Sequence, residues 1–185
     1  EMLSGFRGRG RGRSRVQLTV EISLEEAFNG ATRRLEMPGV GADSTPRRIE
    51  AQIPPGVETG SRVRIGTGNG RQGDLYLDIV VRAHPRFRRS AADLLTDVTV
   101  PALDAVLGGE VSVPTLHSKV MLTIPPETQN GQTFRLAGKG MPSLNSPGSS
   151  GDLHATVKVV LPKDLGDKER ELFQEIRESL SSRRQ

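Results

Sequence analysis

One stretch of this chain occurs twice. Ile53-Pro54-Pro55-Gly56-Val57-Glu58-Thr59-Gly60-Ser61-Arg62-Val63-Arg64-Ile65 returns as Ile124-Pro125-Pro126-Glu127-Thr128-Gln129-Asn130-Gly131-Gln132-Thr133-Phe134-Arg135-Leu136. Each copy reads as a strand end, a proline turn, a glycine, and a second strand with an arginine between two apolar residues. Proline presets φ and has no N–H to donate, so Pro-Pro closes a strand. Gly60 and Gly131 suit a position where φ must be free. The match extends outward. Gly73-Asp74-Leu75 recurs as Gly151-Asp152-Leu153, and Glu26-Ala27-Phe28-Asn29-Gly30 resembles Asp104-Ala105-Val106-Leu107-Gly108. The period is too long for a solenoid unit and predicts two copies of one β-rich domain.

A chain of 185 residues has room for two such domains, each with a modest core. Aromatic residues are scarce and tryptophan is absent, so Val, Ile and Leu must fill those cores. There is no cysteine, which excludes disulfides and thiolate metal sites and fits a reducing, cytoplasmic compartment. No apolar run is long enough to span a bilayer, and the first residues lack a signal-peptide apolar segment. Membrane partners are therefore not expected. The net charge of +4 is local: Arg7, Arg9, Arg11, Arg13 and Arg15 against Glu1 account for all of it. The basic character belongs to a tail, and the remaining chain balances to zero.

Residues 1–15 are a low-complexity Gly/Arg-rich segment that should be disordered, a linker. Val16, Leu18, Val20 and Ile22 then alternate with polar residues, the period of a half-exposed strand. Ser23 and Glu26 form a capping box for a short helix that Gly30 ends. Thr32–Met37 resumes as a strand, residues 38–46 form a loop, and Ile49, Ala51 and Ile53 lead into the repeat. Leu75, Leu77, Ile79 and Val81 make the longest alternating run of the first half. His84-Pro85-Arg86-Phe87-Arg88-Arg89 is a turn-like approach to a boundary near residues 90–93. The second half opens with strand Leu94–Val100. Pro101 suits the first turn of a short helix ending at Gly108-Gly109. Strands near Glu110–Val113, Lys119–Ile124, Thr133–Leu136 and Leu153–Leu161 follow, with Gly138–Ser150 expected as a mobile surface loop. Asp167 can cap a C-terminal helix with Leu172, Phe173, Ile176 and Leu180 on one apolar stripe. The domains read as 16–92 and 93–163, with 164–185 a helix and tail. The fold class is all-β: two tandem, similar, β-sandwich-like domains with short helices and a C-terminal helix.

Catalytic chemistry finds no motif. His84, His117 and His154 stand apart without ligand-like spacing, as surface or turn residues do. Gly66-Thr67-Gly68-Asn69-Gly70 and Gly138-Lys139-Gly140 suggest a phosphate loop, but such a loop must open a helix. Both runs follow a strand with no helix after them, and the Lys-Ser/Thr ending is missing. No serine or acid pair sits in a nucleophile or acid–base motif. The expectation is a binding module with no enzyme activity, metal or cofactor.

Ser23-Leu24-Glu25-Glu26-Ala27-Phe28-Asn29-Gly30, Ile53-Pro54-Pro55-Gly56, Gly73-Asp74-Leu75, His84-Pro85-Arg86-Phe87 and Arg135-Leu136-Ala137-Gly138-Lys139-Gly140-Met141-Pro142, in this order on a two-domain repeat, resemble the C-terminal substrate-binding region of DnaJ-type J-domain co-chaperones. The likeness runs from Val16 to the C-terminus. The Arg-Gly tail looks like a remnant of that family's flexible linker. The family's zinc-binding Cys-x-x-Cys-x-Gly-x-Gly insert is absent, as in class B and curved-DNA-binding-protein branches. The J-domain is absent too, since His84-Pro85 is followed by Arg86. The chain thus looks like a fragment of a longer protein that should not by itself stimulate a DnaK-type ATPase.

The resemblance implies a function: binding unfolded or non-native client polypeptides in a shallow apolar groove, for delivery to a DnaK-type chaperone. The matching groove positions are Leu18 and Val20, Leu35 and Met37, and Phe87. On strand pattern alone the same five could equally form core. Arg33 matches a basic position that the family uses to grip an acidic chaperone tail. Class B members also pair through their C-terminal ends, so Leu172, Phe173, Ile176 and Leu180 are the expected homodimer contact. The alternative is a nucleoid-type DNA-binding protein, suggested by the curved-DNA branch and by the Arg-Gly tail. A neutral folded body argues against phosphate-dominated binding, and aromatic residues are too few for single-strand stacking.

Overall fold

The computed structural model describes residues 16–37, 47–65, 75–144, 146 and 148–183. Their order is β1 (Val16–Ile22), α1 (Leu24–Asn29), β2 (Ala31–Met37), β3 (Arg47–Ile53), β4 (Arg62–Ile65), β5 (Leu75–Val81), β6 (Arg88–Ser90), β7 (Asp93–Pro101), α2 (Ala102–Leu107), β8 (Gly109–Pro114), β9 (Lys119–Ile124), β10 (Thr133–Leu136), β11 (Leu153–Val160) and α3 (Asp167–Ser182). The protein is mostly strand with a C-terminal helix. The Arg-Gly tail, the 38–46 loop and the first glycine run lie outside the described residues.

Among the described residues the strands form four sheets, ordered β1-β5-β4, β2-β3, β8-β9 and β10-β11-β7-β6. Alternation fixes the register. β1 lies parallel to β5, with Leu18 opposite Leu77, Val20 opposite Ile79 and Ile22 opposite Val81, so one face of both strands is apolar throughout. β2 pairs antiparallel with β3, setting Leu35 opposite Ile49 and Arg33 opposite Ala51. β8 and β9 repeat that hairpin, with Val113 opposite Val120 and Val111 opposite Leu122.

The sequence repeat is also a repeat of contacts. The backbone N–H of Gly60 donates to the Ile79 carbonyl, and that of Gly131 to the Val157 carbonyl, each at 2.8 Å. Both short helices end on a glycine beneath the Pro-Pro turn. Gly30 has φ +77°, and a Cβ there would sit 3.0 Å from the Ile53 carbonyl oxygen and 3.3 Å from the Pro55 ring. Gly108 has φ +85°, with Ile124 and Pro126 at 3.2 and 3.1 Å. Only a residue without a side chain fits that approach. The carbonyls left free at the end of each helix are met from the same turn: Gly56 N–H donates to Ala27, and Thr128 N–H to Ala105.

By spatial grouping the chain divides differently from the repeat. One unit takes in Glu1–Thr96 and Arg135–His154, the other Asp97–Phe134 and Ala155–Gln185. The core of the first includes Ile22, Leu24, Ile53, Val57, Leu77, Ile79, Leu94 and Met141; that of the second includes Val98, Val100, Val113, Ile124, Ala155 and Val157.

Three local expectations need correction. Residues 138–150 are pinned at their base: Met141 is fully buried, its N–H donates to the Ala92 carbonyl, and Gly140 and Met141 exchange hydrogen bonds with Gly151. The Gly/Ser/Pro composition that suggests mobility conceals this apolar anchor. Pro101 is the residue before the α2 helix, extended at ψ 141°, and offers no side-chain cap. In α3 the cap position is Gly166, whose N–H donates to the Glu169 carboxylate at 2.7 Å, so Asp167 is the first helical residue.

Candidate functional site

β1 and β2 flank α1, and each has one hydrogen-bonded neighbour among the described residues, which makes both edge strands. On β1 the side chains alternate between exposed Gln17, Thr19 and Glu21 and a face of half-buried Leu18, buried Val20 and buried Ile22. On β2, Leu35 is half-buried beside exposed Arg34. Met37 ends β2, and its side chain lies outside the described residues. Leu18 and Leu35 therefore keep part of their surface in solvent, whereas Val20 and Phe87 belong to the core at 9% and 5% exposure.

Arg33 is spoken for within its own unit. Its guanidinium meets the Glu26 carboxylate at 2.6 Å. Glu26 simultaneously accepts the Ser23 N–H at 2.9 Å while the Ser23 hydroxyl accepts the Glu26 N–H, so the helix cap and the ion pair share one carboxylate. The Arg33 Nε is buried with no hydrogen-bond partner among the described residues.

Phe87 is set by a compact turn. His84 Nδ1 accepts the backbone N–H groups of Arg86 and Phe87, both at 3.1 Å. Two donors at one nitrogen require it to be unprotonated, which leaves the hydrogen on Nε2. That nitrogen lies 3.1 Å from the Glu25 carboxylate of α1. The His84 and Phe87 rings are 5.1 Å apart and tilted by 31°. The Glu25 carboxyl is held below its ordinary range, first by its hydrogen bond to its own backbone N–H, then by Ser23, with His84 adding a smaller push.

A cleft of about 440 Å³ opens beside this turn, with Leu24, Val81 and Phe87 as apolar lining and Arg82 and Arg88 exposed on its wall. Its lining includes none of Leu18, Val20 or Leu35. The structure thus gives Phe87 a place in a cleft of its own. Arg89 lines the cleft too. Its guanidinium donates to the carbonyls of Val57 (2.6 Å), Gly56 (2.9 Å) and Ala91 (2.7 Å) and to the Glu58 carboxylate (3.0 Å). Burial lowers its pKa, and Glu58 opposes that shift. Sequence reasoning missed the roles of His84, Arg89 and Glu25. The one available signal was the spacing of His84 two and three residues before the amides it receives, the pattern of a side chain that ties its own turn.

On α3, Leu172, Phe173, Ile176 and Leu180 are exposed by 37–54%, and no residue of the helix is buried. No helix among the described residues is long and apolar enough to cross a membrane. No group of three or more His, Cys, Asp or Glu among them could hold a metal ion.

A strand–helix–hairpin unit built twice around a Pro-Pro turn, closing into strand-rich units with an exposed amphipathic C-terminal helix, defines the class. The chain belongs to the DnaJ C-terminal domain family, whose model matches residues 16–162. It is 37% identical over 174 residues to a protein named Curved DNA-binding protein from Coxiella burnetii, covering 87% of this chain and 54% of that one. It is 41% identical over 143 residues to Chaperone protein DnaJ of Listeria welshimeri, covering 74% and 38%. The Listeria monocytogenes protein of that name is 43% identical over 135 residues, covering 70% and 36%. The chain spans about half the length of the first of these relatives and less of the other two.

Proposed function

We propose that this chain is the polypeptide-holding part of a DnaJ-type co-chaperone, taking unfolded client segments along β1 and β2 for delivery to a DnaK-type chaperone. The observation that carries the reading is that both strands are edge strands among the described residues and bear half-exposed leucines, Leu18 and Leu35. An extended client can add to such an edge through its backbone while its alternate side chains meet the leucines. Burying two or three aliphatic client side chains contributes roughly 1.5–3 kcal/mol each, and ordering the client offsets much of it. A single site then binds at about micromolar to millimolar strength, weak enough for release. Val20 supports the leucine face from below, and the separate cleft lined by Phe87 at the His84 turn can take a further client side chain. An acidic partner tail reaches Arg33 only in competition with Glu26. Two copies joined through α3 would offer two such sites, and tethering raises the affinity of each pair of weak contacts.

The test is Leu18→Ser with Leu35→Ser. We expect suppression of client aggregation to fall and the affinity for an unfolded peptide to drop about tenfold, with circular dichroism unchanged. Retained binding by a folded double variant would refute the assignment. A second reading, duplex-DNA binding through the Arg-Gly tail, is favoured by the name of the Coxiella relative. Deleting residues 1–15 should then abolish a salt-sensitive DNA shift and spare client binding.

A further inference from the structure

We propose that His84 is a positioning residue whose protonation releases Phe87, so that client affinity falls on acidification. The proposal rests on the reading that the cleft lined by Phe87 takes a client side chain beside the Leu18 and Leu35 face. It follows from the two ends of one imidazole. Nδ1 accepts the N–H groups of Arg86 and Phe87, both at 3.1 Å, and is the acceptor that closes this turn. Nε2 points at Glu25 of α1 at 3.1 Å. The ring is also the packing partner of Phe87, 5.1 Å between centroids. The side chain of His84 is 17% exposed, so solvent can deliver a proton without the turn first coming apart.

A proton taken up at this ring must go to Nδ1, because Nε2 already carries one. Nδ1–H would then confront two backbone donors with no acceptor between them. Both bonds are lost together, and the amide of Phe87 loses the hold that sets its place in the chain. Imidazole is the side chain whose ordinary change of charge falls between about pH 5 and 8, where no other group of the turn titrates. The surrounding charges pull in both directions. Glu25 faces the ring from α1, and Glu58 from the Pro-Pro turn lines the same cleft; both favour the cation. Arg82, Arg88 and Arg89 line that cleft and oppose it, and Arg86 lies within the turn itself. Glu58 is engaged by Arg89, so Glu25 is the carboxylate in direct contact with the ring.

An asparagine or aspartate side-chain oxygen occupies nearly the place of Nδ1 and ties turns of this kind itself. Either residue keeps the acceptor and removes the imidazole. The experiment measures affinity for a rhodamine-labelled, end-capped peptide of Leu, Ala and Gly, which has no titratable side chain. The full chain, His84→Asn, His84→Asp, and Leu18→Ser with Leu35→Ser are compared from about pH 7.5 to about pH 5.5. The expected result is a loss of about fivefold or more in the native chain and less than about twofold in either His84 variant. Backbone amide exchange at Arg86 and Phe87, corrected for intrinsic rate, should accelerate over the same range in the native chain alone. Equal pH dependence in the native chain and both variants overturns the proposal, as does unchanged amide protection. Full binding by the Leu18/Leu35 variant instead overturns the groove reading, and amide exchange still decides whether His84 holds the turn.

Discussion

The two copies of the Pro-Pro turn differ at one residue with a measurable consequence. Gly56 has φ +90°, and in the second copy its place is taken by Glu127 at φ +63°. A side chain in that left-handed region costs about 1–2 kcal/mol relative to glycine in the folded state, partly offset by glycine's greater freedom when unfolded. Glu127→Gly is therefore expected to raise stability by about 0.5–1 kcal/mol, read as a higher urea midpoint with unchanged slope. The Glu127 side chain is exposed, and its backbone N–H to Val106 survives the change. Gly56→Ala should do the reverse, because a Cβ there would lie 2.6 Å from the Pro142 carbonyl oxygen. Glu26 makes a related point about single residues. Serving as cap and counter-ion at once, it ties the start of α1 to the middle of β2.

At the scale of elements, much was legible in the sequence because the information was local. Strict alternation in Val16–Ile22 marks β1, the Ser23/Glu26 pair marks α1, and the recurring glycines mark the turns. What alternation cannot say is whether an apolar face meets core or solvent. Val20 and Phe87 went inside, while Leu18 and Leu35 stayed half-covered. Nor can composition reveal that one methionine in a Gly/Ser/Pro-rich segment is buried, since the carbonyl that holds its backbone N–H belongs to Ala92, far away in sequence. The base of that segment depends on Asp152 as well. Its carboxylate accepts the Gly138 N–H at 2.8 Å and the Arg135 guanidinium at 2.5 Å, and its own N–H donates to Asp93. Gly138, then Arg135, lowers its pKa. A lowered folded-state pKa means stabilisation that is present above the unfolded-state pKa and lost as pH falls through the folded one. Asp152→Asn should therefore flatten the acid limb of the stability–pH curve below the ordinary carboxylate range, measured by thermal melts, and leave the neutral-pH fold intact.

At the scale of the whole molecule, α3 is the element without an evident internal purpose. Sixteen residues carry an apolar stripe, all of them exposed. An isolated helix of that length is marginal in water. A self-facing stripe would close a two-fold dimer. Truncation after Gly166, and Ile176→Asp in the full chain, should each halve the mass measured by sedimentation at about 50 μM. An unchanged mass would remove α3 from the interface. The anchoring of Met141 bears instead on inheritance. A duplication normally leaves copies that can be exchanged between relatives at the joint between them. Here the segment Arg135–His154 from the second copy is built into the unit that the first copy dominates. A crossover at residues 92–93 would bring together an Ala92 carbonyl and a Met141 segment that had never been selected as a pair. Recombinants between family members should survive best when both come from one parent.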